Sequence, residues 1–321
     1  MRKTFYYVIL IALVLYGCGG NKTTVDKQSA SVSDLKGNII INGSDVLFPL
    51  ASKWASAFKS ENPGVVIDLR STCSDNAIRN LKSGLINLAL VSRELTAEEK
   101  AAGLVSFPVA MDIVLPIISF DNDNIQKIVQ AGVTKEKLAG VFTGKIKTWG
   151  QLVNNKTSDL IEVNKLADTT GTCQTWANFL GVKPKQIIGT SQFSNRSMSN
   201  VIVAKKFGIG FCSMSMVYDL KTNFVRHNLY VVPIDLNSNG QADDNELVFD
   251  KLDELKSIIS AGQYPSPPVR KLYFVTKSIP TDPALKAFVK WTLGIGQNYS
   301  KDFCLVTIDK KNANESIKLL K

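Results

Sequence analysis

Asn38-Ile39-Ile40-Ile41-Asn42-Gly43-Ser44-Asp45, followed by Val46-Leu47-Phe48-Pro49-Leu50-Ala51-Ser52-Lys53-Trp54, decides the fold class. The apolar run 38–42 predicts a short strand that stops at Gly43. From 47 to 58 the spacing changes to that of a helix, with Leu50, Trp54 and Phe58 on one face. The alternation recurs: a strand over 65–69, a short helix over 77–82 closed by Gly84 at its C-cap, and a third strand over 86–91. Repeated strand-loop-helix units imply a parallel sheet covered by helices, an α/β fold. In such sheets small polar loops at strand ends meet helix N-termini, where free N–H groups and the helix dipole attract anions.

Three loops have that character: Gly43-Ser44-Asp45, Ser71-Thr72-Cys73-Ser74-Asp75-Asn76, and Asp168-Thr169-Thr170-Gly171-Thr172. A fourth, Ser92-Arg93-Glu94, supplies a cation. The formal net charge of +10 suits an anionic partner. Lys and Arg are scattered singly, without the basic stripe and interleaved aromatics of a nucleic-acid groove, so nucleic acid is set aside.

Working outward to the N-terminus, Arg2 and Lys3 precede an apolar run over 5–16 that ends at Gly17-Cys18. This is the pattern of an export signal, and the run is shorter than the roughly 20 residues a spanning helix needs. Gly17-Cys18 resembles a bacterial lipobox, which makes Cys18 the expected lipidation site and 1–17 the signal. Residues 18–36 are polar and small and predict a flexible tether. The chain is then expected in the cell envelope, exported and held to a membrane by lipid.

Taken in order, Gly43-Ser44 with Phe48-Pro49-Leu50 and Lys53-Trp54, Ser74, Leu88-Ala89-Leu90-Val91-Ser92-Arg93-Glu94, Val141-Phe142-Thr143-Gly144-Lys145-Ile146 with Trp149, Thr170-Gly171-Thr172 and the closing 271–277 resemble the phosphate-binding receptor of the phosphate-specific ABC importer. The resemblance implies a type II periplasmic binding protein fold: two α/β lobes, a ligand cleft and two crossovers. Lobe one is expected over 37–115 and 269–321, and lobe two over 116–268. It also implies a dehydrated phosphate held by Ser44, Ser74, Ser92 and Arg93 from one lobe and by Thr170, Gly171 and Thr172 from the other, with Arg93 as the charge. Hydroxyls adapt as donors, and a guanidinium offers a bidentate fork.

The chain departs from that family at Asp45, where a hydroxyl residue is usual, and at Leu166, where many members have an arginine. Asp45 can accept a proton from monohydrogen phosphate as a ligand-contacting residue, or cap the helix that starts near Leu47; both readings stand at this point. Cysteines are the next oddity. Cys73, Cys173, Cys212 and Cys304 permit two disulfides in three connectivities; pairing within lobes favours Cys73 with Cys304 and Cys173 with Cys212.

Residues 235–246 match the calcium-loop pattern D-x-[DN]-x-[DN]-G-x₅-E in full, with Asp235, Asn237, Asn239, Gln241 through its carbonyl, Asp243 and Glu246 as ligands and Gly240 at the turn. A strand over 229–234 precedes the loop where an EF-hand has a helix. Ca2+ is the one cofactor expected, with no organic cofactor.

These readings converge on a lipid-anchored, monomeric receptor that binds inorganic phosphate, delivers it to an ABC permease and catalyses nothing. The rivals are a receptor for another oxyanion, a phosphohydrolase working through Cys73 or Cys173 with Asp45, and a calcium-stabilised adhesin or sensor on the same fold.

Overall fold

The computed structural model describes residues 34–320. The signal, the Cys18 lipidation site and all but the last residues of the tether lie outside the described residues.

The chain opens as β1 (Gly37–Ser44), α1 (Phe48–Glu61), β2 (Val65–Thr72), α2 (Ser74–Lys82), β3 (Leu88–Val91), α3 (Ala97–Ala101) and the long β4 (Val105–Ser119). Strand β1 pairs in parallel with both β2 and β3, as the repeated strand-loop-helix units require. Helix α1 begins with Pro49 in its first turn and buries Leu50, Ala51, Trp54 and Phe58, the face expected from their spacing. Trp54 meets Phe274 edge to face at 5.5 Å. Its indole N–H, which would be costly to bury unpaired, donates to the Gly296 carbonyl at 2.7 Å. Each fully buried Leu or Phe here contributes about 1.5–3 kcal/mol, so burial of this one face outweighs the intrinsic helix propensity of its residues.

The second half contains α4 (Ile125–Ala131), β5 (Val133–Thr134), α5 (Lys135–Phe142), α6 (Trp149–Val153), β6 (Glu162–Leu166), α7 (Gly171–Leu180), β7 (Thr190–Gln192), α8 (Asn195–Val203), β8 (Gly208–Ser213), β9 (Leu229–Val231), β10 (Ile234–Asp235) and α9 (Leu252–Ser260). The chain then returns through β11 (Val269–Thr276), α10 (Pro283–Leu293) and α11 (Lys310–Leu319).

Among the described residues one sheet runs β2-β1-β3-β11-β4-β8-β6-β7, with β9 also on β4, while β5 and β10 pair separately. Strand β4 is shared. Its residues 105–113 pair antiparallel with β11, and 114–119 pair with β8 and β9. The cores change with it. Residues from Ile39 to Ala110 and from Leu272 to Leu320 build two clusters on one side, and residues from Ile113 to Val269, joined by Cys304 and Val306, fill a separate core around Trp149, Trp176 and Phe211. This is the two-lobed type II periplasmic binding fold, with β4 and β11 as its crossovers.

The cysteines depart from expectation. Cys73, Cys173, Cys212 and Cys304 are all unpaired. Cys73 precedes α2, Cys173 and Cys212 lie in the second core, and the Cys304 thiol donates to the Tyr218 carbonyl. An even count permits bridges but says nothing of the Cα separations a bridge demands.

Candidate functional site

The anion loops of both lobes meet at one seam. Ser44 closes β1, Ser74 opens α2 and Ser92 follows β3, so three strand ends deliver three hydroxyls to one point. The Ser44 hydroxyl donates to Ser92 Oγ at 2.9 Å, the Ser74 and Ser92 hydroxyls are 3.3 Å apart, and the Ser92 amide donates to Ser74 Oγ at 3.1 Å. All three residues are at most 2% exposed. Helix α2 starts at Ser74, three residues before the apolar spacing begins, because Ser74, Asp75 and Asn76 form a polar first turn whose acid suits the helix dipole.

The other lobe contributes the first turn of α7. Thr170 is its N-cap: the hydroxyl accepts from the Cys173 amide at 3.2 Å and donates to the Ala167 carbonyl at 2.8 Å, so this side chain is engaged away from the seam. Gly171 and Thr172, as the first helical residues, have amides without intrahelical acceptors. Gly171 lies directly on Ser92: a Cβ there would be 2.3 Å from Ser92 Oγ. The Thr172 hydroxyl, 1% exposed, accepts from Arg270 Nη2 at 3.0 Å and from Asn195 Nδ2 at 3.3 Å.

The two arginines have different surroundings. Arg93 gives two N–H groups to Asp75, two to Glu99 and one to the Glu94 carbonyl, at 2.7–3.2 Å. A guanidinium has five donors, and all five are committed, four of them to carboxylate oxygens. Burial pushes the Glu99 carboxyl up, but Arg93 and the Thr96 amide more than reverse this and hold it below its ordinary value. Every Arg93 N–H is thus engaged within its own lobe in this structure, where the site's main charge was expected to face the anion.

Arg270, on β11, was not picked out by sequence. It pairs with Asp112 of β4 through Nε at 3.0 Å and Nη2 at 2.6 Å. Its other donors go to neutral oxygens: the Ser92 carbonyl at 3.1 Å, Thr175 Oγ1 at 3.4 Å and Thr172 Oγ1. Asp112 is fully buried, which pushes its carboxyl up against the pull of Arg270 and of Ser213, whose hydroxyl donates to it at 2.8 Å. Arg270 thus places a buried cation behind Ser92 and Thr172, with neutral partners that an anion can replace.

Asp45 does not cap α1, whose N-cap is Leu47 with no side-chain bond. Its carboxylate reaches across the seam and accepts from the Asn195 amide at 3.0 Å and from Asn195 Nδ2 at 3.1 and 3.2 Å. Asn195 in turn accepts from the Ser213 amide at 2.9 Å.

In the 235–246 loop, Asp235 accepts from the Asn239 and Gly240 amides at 3.2 and 3.0 Å, and Glu246 from the Leu236 and Asp243 amides at 2.6 and 3.1 Å. Asp243 Oδ2 accepts from Asn237 and Asn239 at 2.7 and 3.0 Å, and the Gln241 amide donates to Asn239 Oδ1. Gly240 takes the left-handed turn at φ +79°. Among the described residues no three His, Cys, Asp or Glu side chains sit at metal-holding spacing. Asp235 and Glu246 are nonetheless each 1% exposed, and among the described residues neither forms an ion pair with a cationic side chain.

Hydroxyls, the first-turn amides of α7 and the buried Arg270 guanidinium meet at the seam of two α/β lobes, the donor chemistry of an anion site. The chain belongs to the PBP superfamily, whose domain model matches residues 27–294. Residues of this chain are 36% identical over 118 positions to the phosphate-binding protein PstS 2 of Streptococcus pneumoniae, covering 37% of this chain and 38% of that relative. They are 26% identical over 222 positions to the phosphate-binding protein PstS of Bacillus subtilis, covering 66% and 69%. The fold is similar to that of an ABC-type phosphate transport receptor from Vibrio cholerae, at TM-score 0.64 and 18% identity, covering 84% of this chain and all of that one.

Proposed function

We propose that this protein captures inorganic phosphate at the seam and hands it to an ABC permease. The convergence of Ser44, Ser74, Ser92 and Thr172 hydroxyls before Arg270 carries the reading. Hydroxyls donate to a dehydrated anion, the first-turn amides of α7 add N–H donors, and Arg270 balances charge where water is excluded. The phosphate-binding names of the Streptococcus and Bacillus relatives favour phosphate over other oxyanions. Calorimetric titration with phosphate and sulfate tests it: phosphate should bind and sulfate should compete poorly, and the reverse order would reject the reading.

The protein performs no reaction in this scheme. Burial pushes the Cys173 thiol up to about 12, with Asp168 adding to the effect, so it is a poor nucleophile at neutral pH. Asp45 is tied to Asn195. Release of phosphate from a generic ester would overturn this view.

Cys18 is proposed as the lipid anchor that holds the monomer to the membrane. Cys18→Ala should move the protein from the detergent phase to the aqueous phase on partition, and unchanged partition would reject the anchor.

The 235–246 loop is proposed to hold calcium. Its donor set is all oxygen, as a hard cation requires. Asp235 and Glu246 are buried with backbone N–H donors and no cationic side chain, and a bound cation would compensate their charge. Asp235, Asn237, Asn239, Asp243 and Glu246 would hold the ion with the Gln241 carbonyl, tying the loop to β10. Millimolar calcium should raise the melting temperature of the native protein and leave Glu246→Ala unmoved; no shift in the native protein would reduce the loop to a polar turn.

A further inference from the structure

Each of two serines at the seam is followed by an aspartate, Ser44-Asp45 and Ser74-Asp75, and both aspartates reach the opposite lobe. Asp45 accepts three hydrogen bonds from Asn195, the first residue of α8. Asp75 accepts from Gln174 Nε2 on α7 at 2.9 Å, and its own amide donates to the Thr169 carbonyl at 3.4 Å. Gln174 Nε2 also donates to the Asp168 carbonyl at 3.0 Å, which fixes the amide that Asp75 meets.

We propose that Asp45 and Asp75 are clasps that hold the lobes shut over the anion, and that Arg93 is the positioning residue of the second clasp rather than a ligand. The inference rests on the phosphate reading for its kinetic half only. Backbone continuity couples each clasp to the ligand: the main-chain position that brings the serine to the seam also sets where the adjoining carboxylate stands. Asp45 also lies at the N-terminus of α8, where the helix dipole favours a negative charge. Arg93 holds Asp75 Oδ1 at 2.8 Å, which leaves Oδ2 for Gln174. This accounts for an arginine next to the site with every donor committed to lobe one.

Closure acts on escape. An anion leaves only when the seam opens, so a contact present only in the closed form lowers the off-rate and does not speed entry. Hydrogen bonds to a charged partner are the stronger kind, so losing one clasp should raise the phosphate off-rate about tenfold or more.

The test uses Gln174→Ala, Asp45→Ala and the double variant in stopped-flow phosphate binding, with small-angle scattering of the phosphate-free proteins. Gln174 does not touch the hydroxyl cluster, so its replacement should leave the on-rate equal or higher while the off-rate rises about tenfold. The phosphate-free double variant should show a larger radius of gyration than the native protein. Off-rates within twofold of native in both single variants, or an unchanged radius in the double variant, would overturn the clasps. A native protein that does not bind phosphate would overturn the phosphate reading, and the scattering comparison would still decide for or against the clasps.

Discussion

Arg270 and Arg93 show how far one residue's role depends on what its donors touch. Arg93 sits between two carboxylates, a cluster with net negative charge, whereas Arg270 with Asp112 is neutral and faces hydroxyls. Truncating the charged partner of a buried contact costs on the order of 2–5 kcal/mol, so Arg270→Ala should weaken phosphate by about thirtyfold or more. Arg93→Ala acts only through Asp75 and should weaken it less, while lowering the melting temperature by stranding Asp75 and Glu99. Calorimetry on both variants checks this, and a larger loss in Arg93→Ala would reverse the assignment. The loops that carry Ser44, Ser74, Ser92 and Thr172 were legible from local strand-loop-helix grammar, and the family resemblance singled out these residues within them. Arg270 was not, since it meets Asp112 only through the pairing of β11 with β4, 158 positions apart in sequence. A faint signal existed: Asp112 is the one charge in the largely apolar β4, and a buried carboxylate calls for a cationic partner.

At the scale of elements, α7 approaches the other lobe end-on, and only glycine allows it. A Cβ on Gly171 would meet Ser92 Oγ at 2.3 Å and the Ser92 carbonyl oxygen at 2.6 Å. The helix would have to withdraw, carrying Thr172 from Arg270 and Gln174 from Asp75. Overpacking of a tight contact costs about 1–3 kcal/mol. Gly171→Ala should therefore reduce phosphate affinity by about fivefold to a hundredfold while the protein still folds, because the strain is relieved by opening the seam. An affinity within twofold of native would mean that the lobes need not meet here. The loop before α7 was readable as an anion loop from its small polar residues. The division of labour within it was not, because Thr170 and Thr172 are alike in sequence and only the helix start makes one the cap and the other a seam residue. Strand β4 is apolar at 113–118, but its change of partners belongs to the sheet and leaves no local trace.

For the whole molecule, the core of the second lobe and the two clusters of the first are joined where β4 and β11 cross, and the Arg270–Asp112 pair lies at that joint behind the hydroxyl cluster. On the proposed function, an anion held by Ser44, Ser74 and Ser92 on one side and by Gly171 and Thr172 on the other would bind neither lobe alone but the two together. Anything that binds the folded state only stabilises it by mass action, about 4 kcal/mol at a thousand times the dissociation constant. For a chain of this size, 1 kcal/mol moves the melting temperature by roughly 2–4 °C, so saturating phosphate should raise it by on the order of 8 °C. Both lobes should respond together, because the ligand couples them. In Arg270→Ala most of the shift should disappear. Scanning calorimetry with and without phosphate checks it, and a lobe that melts at the same temperature in both conditions would show that the anion touches only the other one.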